Sequence, residues 1–162
     1  MQCQIPEARV MNRGNVPCRR LHQPRQIPRI ACKLQEPYNP TMPRFAVRVA
    51  YDGTHFHGWQ RQEPPNGEPL RTVQGVLDRT LTEVLQSRVA CQGSSRTDAG
   101  VHAEGQVAAF TADCRIPIDR IPAALNARLD EDVRIMAAWI VPDDFDPVGD
   151  ALAKGYRYEI AP

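Results

Sequence analysis

Phe45-Ala46-Val47-Arg48-Val49-Ala50-Tyr51-Asp52-Gly53 is where this chain begins to read as folded protein. Large apolar side chains alternate with small or charged ones through Tyr51, the period of a strand with one buried face. Asp52-Gly53 then signals a turn. A long loop follows, with Glu63-Pro64-Pro65-Asn66-Gly67-Glu68-Pro69 in it. Val73, Val76, Leu77, Leu81, Val84 and Leu85 next recur at helical spacing, which predicts an amphipathic helix over Thr72 to Gln86. Arg88 to Gln92 reads as a short strand and Gly105 to Thr111 as another. Asp119 to Leu129 reads as a second helix, with Pro122 tolerable in its first turn. Val133 to Val141 is a strongly apolar strand, and Tyr156 to Ile160 alternates again.

The order is therefore strand, helix, strand, strand, helix, strand, with one trailing strand. This is the α+β, split βαβ or ferredoxin-like pattern, an antiparallel sheet carrying both helices on one face. The trailing strand has no visible partner, so the chain reads as unfinished. Residues 44–162 form the folded unit, and residues 1–43 read as a disordered tail. That tail holds seven of the fifteen prolines, no serine, and apolar residues without period. It carries seven Lys/Arg against two Asp/Glu, whereas residues 44–162 carry thirteen against seventeen; together these give the net +1. An acidic body is not the usual footprint of a nucleic-acid binder, so any RNA contact must come from local arginines. Met42, just ahead of the first strand, is a candidate alternative start.

No run approaches the roughly 20 apolar residues of a membrane span, and the N-terminus lacks a secretory pattern. Five cysteines at wide spacing, without C-x-x-C, point to a reduced, cytoplasmic setting. Common phosphate-loop, dinucleotide, serine-hydrolase and zinc-protease motifs are missing from the sequence. An enzyme built from this chain is expected to work without a cofactor or metal.

Three places carry chemistry. In Ser94-Ser95-Arg96-Thr97-Asp98-Ala99-Gly100-Val101-His102-Ala103, a carboxylate stands two residues after an arginine and just before a glycine turn. Asp98 can be held ionised by Arg96 and still face a substrate; Arg96 can also take a phosphate. Gly100 allows a sharp turn and a close approach of backbone to ligand. The stretch Tyr51 to Gln62 interleaves Tyr, Phe, Trp, Gln and Arg, which suits stacking on RNA bases or a loop folded over its own aromatics. Its His55 and His57 lack further ligands at zinc-like spacing. His102 reads as a loop hydrogen-bonding or packing residue, with acid–base chemistry the alternative. Tyr156 and Tyr158 share one face of the last strand, where each either stacks on a base or packs in the core. Cys91 reads as a buried strand residue.

Several of these strings together resemble the bacterial tRNA pseudouridine synthase A family. Tyr51-Asp52-Gly53-Thr54 with Gly58-Trp59-Gln60-Arg61-Gln62 resembles its first motif, and Thr72-Val73-Gln74-Gly75 the start of its first helix. Arg96 to Ala103 resembles its catalytic motif. Gly105-Gln106-Val107, Ala124-Leu125-Asn126, Val141-Pro142-Asp143-Asp144-Phe145 and Tyr156-Arg157-Tyr158 continue the match over residues 44–160. The resemblance implies isomerisation of uridine to pseudouridine at positions 38–40 of the tRNA anticodon stem-loop, with tRNA as partner, a homodimer, and no cofactor. It implies that Asp98 is the essential aspartate, as nucleophile at the sugar or base at its 2′ carbon. Arg96 would orient Asp98 and hold the backbone, and Tyr156 would stack on the uracil. Ser95 stands where the family often has glycine, and Val148 where it commonly has arginine. The family also has a second half after the tyrosine motif, with the cleft between the halves. A truncated, inactive fragment that binds RNA weakly is the alternative reading.

Overall fold

The computed structural model describes residues 2–4, 42–65 and 67–158. Its elements in chain order are β1 (Gln2–Gln4), β2 (Arg44–Tyr51), α1 (Val73–Leu85), β3 (Gln92–Gly93), β4 (His102–Thr111), α2 (Ile121–Asn126), β5 (Val133–Val141) and β6 (Gly155–Arg157). The strands form one sheet in the order β5-β2-β4-β1-β6, with β3 pairing β4. Strands β5, β2, β4 and β3 pair antiparallel, as the βαββαβ order requires.

Alternation decides the faces. Phe45, Val47, Val49 and Tyr51 of β2 are buried and share one core with Val73, Val76, Leu77 and Leu81 of α1 and Ile121 and Leu125 of α2. Both helices therefore cover the same side of the sheet. Phe45 stacks on Phe110 of β4 with ring centroids 5.3 Å apart. The ladders carry two irregularities. Against β5 the register slips between Arg48 and Val49, leaving Met136 as the extra residue. Against β4, Val49 faces Gln106 but Tyr51 faces Ala103. That second bulge changes the parity of β4, so Gln106 and Ala103 both come to lie buried.

Helix α1 starts at Thr72, whose hydroxyl accepts from the Gly75 amide at 3.3 Å, and ends at Gln86 in the left-handed region. The strand expected over Arg88–Gln92 shrinks to Gln92–Gly93. Side chains of α1 have taken the backbone groups ahead of it. The Val89 amide donates to Thr82 Oγ1 (3.2 Å), the Cys91 amide to Asp78 Oδ1 (2.8 Å), and Gln74 Nε2 donates to the Cys91 carbonyl (2.7 Å). Cys91 is buried as expected, but in this stapled segment, not in a strand. Burial pushes its thiol well above the usual range, with the Asp78 carboxylate adding to the effect.

The second helix is also shorter than its expected span of Asp119 to Leu129. A 3-10 turn at Ile118–Arg120 leads into it, with Pro122 in its first turn. Asn126 closes it by bonding both the amide and the carbonyl of Ile135 at 2.8 and 2.9 Å. The trailing strand begins at Gly155 and finds a partner: β1 lies between it and β4, antiparallel to β6 and parallel to β4. The expected tail is otherwise outside the described residues up to Met42, as are the last residues of the expected final strand.

Asp78 offers a direct check on this arrangement. Asp78→Ala leaves the Cys91 amide without its acceptor in a buried site. We expect a loss of about 1–3 kcal/mol in denaturant-measured stability.

Candidate active-site loop

Residues 94–101 run between β3 and β4 over the bulged end of the sheet. Ser94 and Thr97 are buried, whereas Arg96, Asp98, Ala99 and Gly100 are exposed. This division has a cause. Thr97 Oγ1 lies 2.8 Å from the Tyr51 hydroxyl, which donates to Gln106 Oε1 at 3.3 Å. Gln106 Nε2 in turn donates to the Ser95 carbonyl at 2.7 Å. One buried relay thus holds the loop on both sides of Arg96. No buried side-chain nitrogen or oxygen among the described residues lacks a partner, as a low-dielectric interior demands.

The aromatic loop after β2 supplies the second anchor. The Trp59 amide donates to the Thr97 carbonyl (3.0 Å) and the Gly100 amide to the Phe56 carbonyl (3.3 Å). Trp59 is buried against Tyr51, with rings 5.9 Å apart. Arg71 lies over the Phe56 ring at 4.1 Å. Its guanidinium is paired with Asp132 at 2.7 Å and Asp130 at 3.1 Å, and Asp132 foremost raises its pKa. The loop thus folds over its own aromatics, and Phe56 and Trp59 are not available for stacking on a base. Gly58 makes the contact possible: its φ is +92°, and a Cβ there would fall 2.6 Å from the Thr97 carbonyl oxygen. Gly100 also turns with a positive φ of +78°, but a Cβ there would meet open space, so its role is conformational.

His102 Nδ1 lies 3.3 Å from the Gly53 amide and 3.1 Å from Asp52 Oδ1, so it ties the start of β4 to the turn after β2. Asp52 also caps that turn through Thr54, whose hydroxyl, then its amide, lower the Asp52 pKa. His55 and His57 are exposed on the aromatic loop. Among the described residues no three His, Cys, Asp or Glu side chains converge as metal ligands.

Tyr156 on β6 comes to the loop, its hydroxyl 3.4 Å from Ser95 Oγ, with the side chain 48% exposed. It is not a core residue. Tyr158 is exposed as well. Arg96 and Asp98 are neighbours on the same exposed ridge, but no ion pair or hydrogen bond joins them, and neither side chain bonds another described residue. The expected orienting of Asp98 by Arg96 is not present here: Thr97 between them is drawn inward, and the two side chains are left to solvent.

Beside the loop lies a cleft of about 550 Å³, lined by Trp59, Gln92, Ser95, Arg96, Val148 and Lys154 among others. A larger groove of about 960 Å³ runs along the outer side of α1, away from Asp98. Its size reflects an open helix flank rather than proximity to chemistry.

The tRNA pseudouridine synthase family model matches residues 47–148, which contain the whole relay and the exposed ridge. The chain belongs to the tRNA pseudouridine synthase family. Among curated relatives, the protein named tRNA pseudouridine synthase A from Thermosipho melanesiensis is 46% identical over 125 residues, covering 74% of this chain and 48% of the relative. That of Thermosynechococcus vestitus is 47% identical over 117 residues, covering 72% and 39%. That of Chlorobium phaeovibrioides is 43% identical over 121 residues, covering 75% and 48%. The chain thus spans under half the length of these pseudouridine synthases. Among the described residues no helix is long and apolar enough to cross a membrane.

Two substitutions test the anchoring. Gly58→Ala should displace the 94–101 loop and destabilise the fold by about 1–3 kcal/mol, because it combines a left-handed φ with a backbone clash. Tyr51→Phe should cost about 1 kcal/mol and speed amide exchange across residues 94–98. A Tyr51→Phe chain with unchanged exchange there would show that the relay does not hold the loop.

Proposed function

We propose that this chain is the catalytic half of an enzyme that isomerises uridine to pseudouridine in the anticodon stem-loop of tRNA, at positions 38–40, with Asp98 as the essential group. The observation that carries this is Asp98 itself: an exposed carboxylate, unpaired among the described residues, on a loop whose flanking residues are fixed from inside. A carboxylate ionised at neutral pH serves as nucleophile or base. In the reaction the N1–C1′ bond breaks, the detached uracil turns, and a C5–C1′ bond forms. The C5 proton leaves and N1 regains a proton, so no atoms are gained or lost and no redox partner is needed.

A uridine inside a stem must leave the stack before its sugar can be reached. In this proposal Tyr156 stands under the extruded uracil, a role supported by its exposure and its contact with Ser95. Arg96 takes the adjoining backbone in the same proposal. The work belongs in the cytoplasm, where tRNA is the partner, and the functional unit is a pair of chains.

A second reading has its own support. Asp98 is exposed, and its side chain bonds no other described residue that would position it. In that reading the isolated chain binds RNA without turning it over. Tritium release from tRNA labelled at uridine C5 separates the two. Release that Asp98→Ala abolishes supports the isomerase. No release above Asp98→Ala, with RNA binding retained, selects the binding module.

A further inference from the structure

We infer that the 550 Å³ cleft beside the active-site loop is a phosphate subsite for the RNA backbone, in which Lys154 acts as a positioning cation together with Arg96. The inference rests on the reading of the chain as an RNA-directed synthase half, and adds a residue that the sequence motifs do not mark.

The first observation is the charge of the lining. Arg96 and Lys154 both line the cleft, the remaining lining is amide, hydroxyl, aromatic and small groups, and no Asp or Glu contributes. This is unusual in a body where residues 44–162 hold seventeen acids against thirteen bases. Asp146 stands just outside this lining, held by two neutral donors, Gln92 Nε2 and the Val148 amide, both at 3.0 Å, so its charge is fixed in place and not cancelled.

The second observation is the state of the cations. Five of the twelve described arginines are ion-paired: Arg61 with Glu63, Arg71 with Asp130 and Asp132, Arg120 with Asp119, Arg128 with Glu83, and Arg157 with Glu104. Lys154 is held differently. Its Nζ donates to the Ser94 carbonyl at 2.7 Å, a neutral acceptor that fixes the ammonium without cancelling its charge. Two of its three donors stay available. The tether also makes a long side chain costly in entropy into a placed one, two residues from Arg96. A positioned cation with spare donors beside a second, unpaired guanidinium suits one phosphodiester between them.

The third observation is Val148, half-exposed in the same cleft. Valine offers no hydrogen-bond donor or charge there. Lys154 approaches the same cleft from the following segment and supplies charge that Val148 cannot.

The test uses the full chain and a fluorescein-labelled RNA stem-loop with uridines at the loop closure, titrated by anisotropy at several KCl concentrations. Each phosphate neutralised contributes about 0.7–0.9 to the slope of log K against log salt. Lys154→Met should weaken binding several-fold at low salt and lower that slope by about 0.7–0.9. Lys154→Arg should keep the slope. Val148→Glu, which leaves the Ser94 contact untouched, should weaken binding as Lys154→Met does, and Val148→Arg in the Lys154→Met background should restore it. Arg79→Met, which removes a cation from the larger groove, should leave the slope as it was. An unchanged slope in Lys154→Met, or an equal fall in Arg79→Met, overturns the subsite while leaving the synthase reading in place. Failure of the unaltered chain to bind the stem-loop overturns both.

Discussion

The short buried relay from Thr97 through Tyr51 and Gln106 to the Ser95 carbonyl is the constraint on which the candidate active-site loop depends. Its members come from three separate pieces of chain: the end of β2, the loop ahead of β4, and β4 itself. A polar group in a low-dielectric interior is costly without its partner. Each member is satisfied only when the other two pieces are in register. The register that puts Gln106 opposite Val49, just ahead of the bulge, is thus coupled to the position of the loop. The aromatic loop after β2 closes the same assembly from outside through the Trp59 amide and the Gly58 contact. Anchored flanks with exposed Arg96 and Asp98 between them leave both side chains accessible yet placed, which a free surface loop does not provide.

Charge is organised on the same local scale. Five of the twelve described arginines are spent on carboxylates close by, and several of those pairs are exposed and contribute little to stability. Long-range attraction of a polyanion by the body as a whole is not available to an acidic domain. On the proposed reading, recognition falls to local cations, and the cleft holding Arg96 and Lys154 is the place we propose for them. Backbone phosphates position a nucleic acid, while the reacting base is selected by what surrounds it once extruded. In the proposed function Tyr156, beside Ser95, stands on the base side of that division.

The strands with clear alternation and the first helix were legible because burial of one face imposes a period that the residues record. Phe45–Tyr51 and Val133–Val141 are of this kind. The segment after α1 was not, since its backbone is satisfied by Thr82, Asp78 and Gln74 side chains, and no period marks that. The strand β1 was equally invisible: a ladder uses backbone groups that any residue carries, and three residues cannot show an alternation. Of the site residues, Asp98, Arg96 and Tyr156 stood out by motif. Lys154 had no such signal. Gln106 had one, a polar residue in an otherwise apolar strand, whose meaning rested on the bulge.

The sequence by itself determined the βαββαβ order, the family, and which carboxylate stands on the candidate loop, because periodicity and a contiguous motif are local properties of the chain. Only the tertiary structure decided which side chains face inward on that loop, that Arg96 and Asp98 do not pair, and that Lys154 shares a cleft with Arg96. Those outcomes depend on contacts between residues some fifty to sixty positions apart, such as Tyr51 with Gln106 and Ser94 with Lys154. Such contacts are set by sheet register and by the path of the chain across the sheet, which no local pattern encodes.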